Sequence, residues 1–173
     1  MSGVIAVLPK IEDARQISGI LARRGIGVAA LCTTAAMALN KAHELECGVV
    51  ICSYRISDMH YTQLAQYLPD YFDMLLLTSK EEAHNTPSGM MLLTYPVKPG
   101  DLAGTVEVML VQLERRLKKR REQNYINNAK MVLMERNGMT EEEAFRYIQK
   151  SSMDSGTNMV ETAQMILLLL YDS

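Results

Sequence analysis

Val4-Ile5-Ala6-Val7-Leu8 is a short apolar run rich in β-branched residues and closed by Pro9. It predicts a buried strand. Val49-Val50-Ile51-Cys52 and Met74-Leu75-Leu76-Leu77 have the same texture, Val28 to Leu31 fits a further strand, and Met90-Met91-Leu92-Leu93 leads toward a fifth near Tyr95. Helical periods separate them. Glu12 to Arg24 places Ala14, Ile17, Ile20 and Leu21 on one side and stops at Gly25 and Gly27. Thr34 to Leu45 does the same with Ala35, Ala38, Leu39 and Ala42, and Tyr61 to Tyr67 fits a shorter helix. Strands that are apolar on both faces, alternating with helices, belong to a parallel sheet covered on both sides. The right-handed crossover then gives a five-stranded, doubly wound α/β sheet, whose strand order this pattern leaves open. If the order is flavodoxin-like, the functional edge is expected at the carboxyl ends of the strands.

After Pro99-Gly100 the texture changes. The stretch from Asp101 to about Arg136 predicts one long helix. Leu102, Val106, Met109, Leu113 and Leu117 alternate by four and three along it, a short heptad seam. Such a seam either packs on the sheet or pairs two chains; it is expected to do some of both and to form a dimer seam. Asn137-Gly138 suits a helix end. Thr140-Glu141-Glu142-Glu143 and Asn158-Met159-Val160-Glu161 are capping boxes that open two more helices. The expected organisation is a sheet domain over 1–115, then a coiled-coil linker helix and a small three-helix bundle over 116–173.

Composition is that of a chain able to bury a core: 48% hydrophobic and 22% charged over 173 residues. The net charge of -2 announces no polyanionic partner, but the charge is uneven. Residues 1–114 carry 8 Lys/Arg against 12 Asp/Glu, and residues 115–173 carry 10 against 8. A nucleic-acid partner is therefore to be sought in the second half. Cys32, Cys47 and Cys52 fit neither a zinc knuckle nor a redox pair and read as buried free thiols of a cytoplasmic protein. No charged leader region precedes the first strand, so a signal peptide is not expected. The tail from Met165 to Tyr171 is too short to cross a bilayer, which leaves no membrane contact, and reads as one buried side of a helix. Met131, Met134, Met153, Met159 and Met165 are expected to fill core.

Residues 1–115 resemble the receiver domain of two-component response regulators. That family places an acidic pair after the first strand and a phosphoacceptor aspartate at the end of the third. Here those positions read Leu8-Pro9-Lys10 and Ser53. Thr78 after the fourth strand and Lys98-Pro99 after the fifth remain as residual receiver positions. An acyl phosphate needs a carboxylate nucleophile, and magnesium needs oxygen ligands. Ser53 without a base is a weak nucleophile, and Lys10 places positive charge where the metal would sit. The resemblance therefore implies a degenerate receiver without a metal or other cofactor, not phosphorylated by the usual route. Glu12 and Asp13 fit a solvated helix start.

Residues 126–166 resemble the ANTAR domain, an RNA-binding module named for antitermination by bacterial regulators. Ile126, Ala129-Lys130, Leu133-Met134, Gly138, Glu143-Ala144, Ser152-Met153 and Ala163 carry the likeness, and "AKMVLMERNGMTEEEAFRYIQKSSMDS" keeps the family's spacing. Ile148-Gln149 departs from the family's frequent Leu-Arg. The resemblance implies a transcription antiterminator that holds a stem-loop in leader mRNA so that a terminator hairpin does not form. Structured RNA asks for several cations and hydrogen-bonding groups on one face. Lys130, Arg136, Arg146, Gln149, Lys150 and Ser152 are the candidates, with Tyr147 able to stack on a base. By charge pattern alone these cations read first as an ordinary solvated face; the family likeness reverses that order. The run Arg115 to Arg121 reads equally as a solvated face or a phosphate-tracking stripe. A homodimer would match two adjacent loops. The competing reading is a protein-interaction module that answers to a regulatory partner and binds no RNA. An enzyme is not expected, because no nucleophile–base pair or cofactor fingerprint is present and His43, His60 and His84 are scattered.

Overall fold

A computed structural model describes residues 2–171. Met1, Asp172 and Ser173, at the ends of the two expected parts, lie outside the described residues. The chain forms two compact units, Met1–Glu114 and Arg115–Ser173.

The first unit is a five-stranded parallel sheet. Its strands are β1 (Ser2–Val7), β2 (Val28–Cys32), β3 (Cys47–Ser53), β4 (Phe72–Thr78) and β5 (Met91–Thr94), in the order β2-β1-β3-β4-β5. That is the flavodoxin-like order. Side chains alternate between the faces, as a period of two demands. Val4, Ala6, Val49, Ile51, Leu75 and Leu77 join one buried cluster, and Ile5, Val7, Val50, Cys52, Met74 and Leu76 the other. Helix α1 (Ile11–Ala22) supplies Ala14, Ile17 and Leu21 to the first cluster. Helices α2 (Ala35–Glu44) and α3 (Tyr61–Tyr67) cover the second with Ala35, Ala38, Ala42, Tyr61 and Leu64. A short helix, α4 (Lys80–Ala83), absent from the sequence reading, follows β4. The backbones of β1 and β3 come so close at Gly48 that a Cβ there would lie 1.9 Å from the Gly3 carbonyl oxygen. All three cysteines are free and buried. Burial pushes the Cys52 thiol up to about 12.

Helix α5 (Pro99–Asn137) begins in the first unit and ends in the second. Of the two roles expected of the seam, packing on the sheet is the one that most of it takes. Leu102, Val106, Met109 and Leu113 are at most 4% exposed, and the first three belong to the buried cluster of the sheet. The face of the sheet beside α1 must be covered, and these turns of α5 cover it. Only Leu117 is half-buried, while Val108 and Val111 are the apolar residues that this stretch turns outward.

The second unit packs the end of α5 with α6 (Glu141–Ser155) and α7 (Met159–Tyr171). Its buried core is Ala129 and Leu133 of α5, Ala144 and Ile148 of α6, and Ala163 of α7. Two other expectations need correction. The apolar tail is not one buried side: Ile166, Leu167 and Leu170 pack inward, but Met165, Leu168 and Leu169 are exposed. Of the five methionines expected in the core only Met159 packs there; Met131, Met134, Met153 and Met165 are exposed. No helix among the described residues is long and apolar enough to cross a membrane.

The division of α5 is testable by chemical denaturation. Leu113→Ala is expected to cost about 2–5 kcal/mol, and Val111→Ala less than about 0.5 kcal/mol. Small and equal effects would return the seam to an intermolecular role.

Candidate nucleic-acid interface

The turn between α5 and α6 is fixed by its backbone chemistry. Gly138, at φ +65°, takes the left-handed conformation that ends a helix, and its N–H donates to the Met134 carbonyl at 3.1 Å. Two residues later a reciprocal cap opens α6. The Glu143 N–H donates to Thr140 Oγ1 at 3.2 Å, and the Thr140 N–H donates to Glu143 Oε2 at 2.8 Å. These hydrogen bonds from Thr140 hold the Glu143 carboxyl below the usual glutamate range. At the other end Gly156, at φ +67°, stops α6, and a second reciprocal cap between Asn158 and Glu161 starts α7.

With Ala144 and Ile148 turned into the core, the helical period turns Arg146, Tyr147 and Lys150 outward. Together with Asn137, Gly138, Met139 and Glu143 they line an open cleft of about 450 Å³. A phosphate there would meet two cations four residues apart, beside an aromatic ring that is 47% exposed. Arg146 Nη2 already donates to Glu142 Oε1 at 2.5 Å. Both side chains of that pair are 74% exposed, so the pair is worth little and can be exchanged for a phosphate. Gln149 and Arg136 are exposed but do not line the cleft. Arg136 lies in the last turn of α5, where a cation suits the helix dipole.

Two expected contacts are placed elsewhere. Lys130 is only 16% exposed along its side chain, and its Nζ donates to Glu141 Oε1 at 2.9 Å. It ties α5 to α6 and holds the Glu141 carboxyl below its ordinary range. Ser152 is 6% exposed, and its hydroxyl donates to the Gln149 carbonyl at 2.7 Å. It offers no surface to a ligand. Both are inward by spacing as well: Ser152 follows Ala144 and Ile148 at intervals of four, and Lys130 follows Ile126 by four.

Ser53 and Thr78 stand at the carboxyl edge of the sheet. Ser53 ends β3 half-buried, and Thr78 ends β4 almost fully buried. Lys98 is exposed, four residues beyond β5, and its carbonyl accepts from Leu102 at the start of α5. Tyr95 stands beside Thr78, donating its N–H to the Thr78 carbonyl at 2.9 Å. Lys10 is exposed at the start of α1. Two carboxylates of this unit, Asp58 and Glu82, are engaged with backbone. Asp58 accepts from the N–H groups of Ala35 (2.8 Å) and Ala36 (2.9 Å). Burial opposes its charge, but these hydrogen bonds outweigh that and lower its carboxyl. Glu82 accepts from the Ser79 N–H, which holds it low, and pairs with Arg55 at 3.3 Å.

The model of the ANTAR domain family matches residues 111–167. Solved structures share the receiver fold. A CheY-like response regulator receiver domain protein from Methanospirillum hungatei JF-1 is 16% identical, with TM-score 0.54, over 66% of this chain and 98% of that one. A response regulator receiver domain protein from Clostridium thermocellum is 16% identical, with TM-score 0.58, over 68% and 98%. The anti-anti-sigma factor PhyR from Bartonella quintana is 15% identical, with TM-score 0.59; the match covers 69% of this chain and 52% of that one. At these identities the likeness is one of fold. No curated protein matches the chain.

The lowered carboxyls of Glu141 and Glu143 predict that acid destabilises the second unit. Because Glu141 and Glu143 are lowered in the folded state, their contribution is present above the ordinary glutamate range and is lost as pH falls through their lowered values. Circular dichroism melts should therefore show a midpoint that drops on acidification, and drops less in Glu143→Gln. Thr140→Ala should cost about 1 kcal/mol at neutral pH.

Proposed function

We propose that this chain, in which an ANTAR domain follows a receiver fold, is an RNA-binding transcription antiterminator that holds a stem-loop of a leader transcript through the outer face of α6. The observation that carries this reading is the cleft at the α5–α6 turn, inside the matched ANTAR domain, where Arg146 and Lys150 flank Tyr147. Cations positioned by a folded helix meet phosphates, and an exposed ring offers a stacking surface for a splayed loop base. Arg136 and Gln149 extend that surface from the end of α5 and the outer side of α6. The protein then acts as a regulator and not as an enzyme.

In this reading the receiver fold is not phosphorylated by the usual route. Ser53 stands where a carboxylate nucleophile is needed, Tyr95 stands beside Thr78, and Asp58 and Glu82 are held by backbone N–H groups. Pairing of two chains falls to the outward side of α5 near Val108 and Val111, since the expected seam is buried. A cytoplasmic location follows from a partner that is nascent RNA.

RNA affinity measured against salt tests the central reading. Arg146→Gln with Lys150→Gln should weaken binding of a leader stem-loop roughly tenfold or more and reduce the salt slope by about 1 per lost phosphate contact. Ser152→Ala should leave the slope unchanged. Equal affinity for stem-loops and unstructured RNA, or a slope indifferent to the double variant, would favour a protein-interaction module instead. For the receiver fold, incubation with acetyl phosphate and magnesium should add no phosphoryl mass to the intact protein; stoichiometric modification would contradict the reading.

A further inference from the structure

The first unit holds a cavity that RNA binding does not use. It lies at the carboxyl end of the sheet and has a volume of about 360 Å³. That is within the range of small-molecule sites, and open α/β sheets bind ligands at this edge. Leu8 and Leu77 form its floor together with Ile17 and Leu102, and each of the four is no more than 7% exposed. Ile20 and Val97 are only partly buried and stand at the rim.

β5 stops at Thr94, and Tyr95, Pro96 and Val97 beyond it line the cavity. The backbone of Tyr95 is pinned to Thr78, but its side chain remains 46% exposed and does not fill the space. The polar side chains on the lining are Asp13, Gln16 and Tyr95. Asp13 makes no ion pair among the described residues, although it borders an apolar hollow. Burial pushes the Tyr95 phenol up, and the charges of Asp13 and Glu82 push the same way. Asp13 is the one charged side chain on the lining. A carboxylate ligand would be repelled by it, and a cation would gain a partner that Asp13 otherwise lacks.

We propose that this cavity binds a small organic cation, with an apolar body about the size of one aromatic ring seated on Leu77 and Ile17 and an ammonium-type head against Asp13. The site is separate from the RNA-binding reading and stands or falls without it.

A titration of the full chain followed by amide chemical shifts tests this, with phenethylamine as probe and phenethyl alcohol and phenylacetate as its neutral and anionic counterparts. Phenethylamine should give saturable shifts at millimolar concentration, confined to α1 and the Tyr95–Val97 segment. Asp13 is exposed, so Asp13→Asn keeps the fold; it should weaken the amine at least tenfold and bring it level with the alcohol. Ile20→Phe, which fills the hollow from its rim, should abolish the shifts while its melting midpoint shows a folded protein; if it does not fold, the Asp13→Asn comparison decides alone. Absence of saturable shifts in the natural sequence would overturn the site. Equal binding of the alcohol or the acid, or indifference to Asp13→Asn, would overturn the choice of a cation.

Discussion

Three alanines, Ala129, Ala144 and Ala163, lie fully buried where α5, α6 and α7 meet. Small residues at that point let three helices approach closely, and Leu133 and Ile148 fill the remaining space. Once α6 is committed to turning Ala144 and Ile148 inward, its other faces have no freedom. Arg146, Tyr147 and Lys150 must point outward, and Ser152 must point in. The cleft is thus a by-product of core packing, sharpened by the left-handed turn at Gly138 and the reciprocal cap at Thr140. Larger side chains at the alanine positions would push the helices apart and turn the basic face with them.

Polarity and exposure part company at several residues here. Lys130 and Ser152 are polar, yet each is satisfied inside the fold, one by Glu141 and the other by a carbonyl of its own helix. Leu168 and several methionines are apolar, yet stand in solvent. The strands were legible because both faces of the sheet are covered, so Val4 to Leu8 and Val49 to Cys52 read as continuous apolar runs. Both capping boxes were legible because their residue types answer one hydrogen-bonding need. Helix α4 was not, since Lys-Glu-Glu-Ala is too short to show a period. The seam on α5 was ambiguous for a physical reason: apolar residues spaced by four and three cover a sheet as well as they pair two helices.

At the sheet edge the strand order is that of a receiver, Thr78 is buried at the end of β4, and two carboxylates are used to fix helix starts. Asp58 holds the start of α2 and Glu82 the start of α4. Both contribute to local structure. The edge also holds a hollow between α1 and the end of β5, with the Asp13 carboxylate on its lining. A sheet built this way is a scaffold on which the input can change without changing the core.

The central claim is that the outer face of α6 touches RNA. Ultraviolet crosslinking of the full chain to a leader stem-loop, followed by peptide mapping, addresses it directly. The account predicts that crosslinked nucleotides concentrate on the peptide spanning residues 137–150, with Tyr147 prominent. Crosslinks confined to residues 1–114, or none above the level of an unrelated RNA, would contradict it.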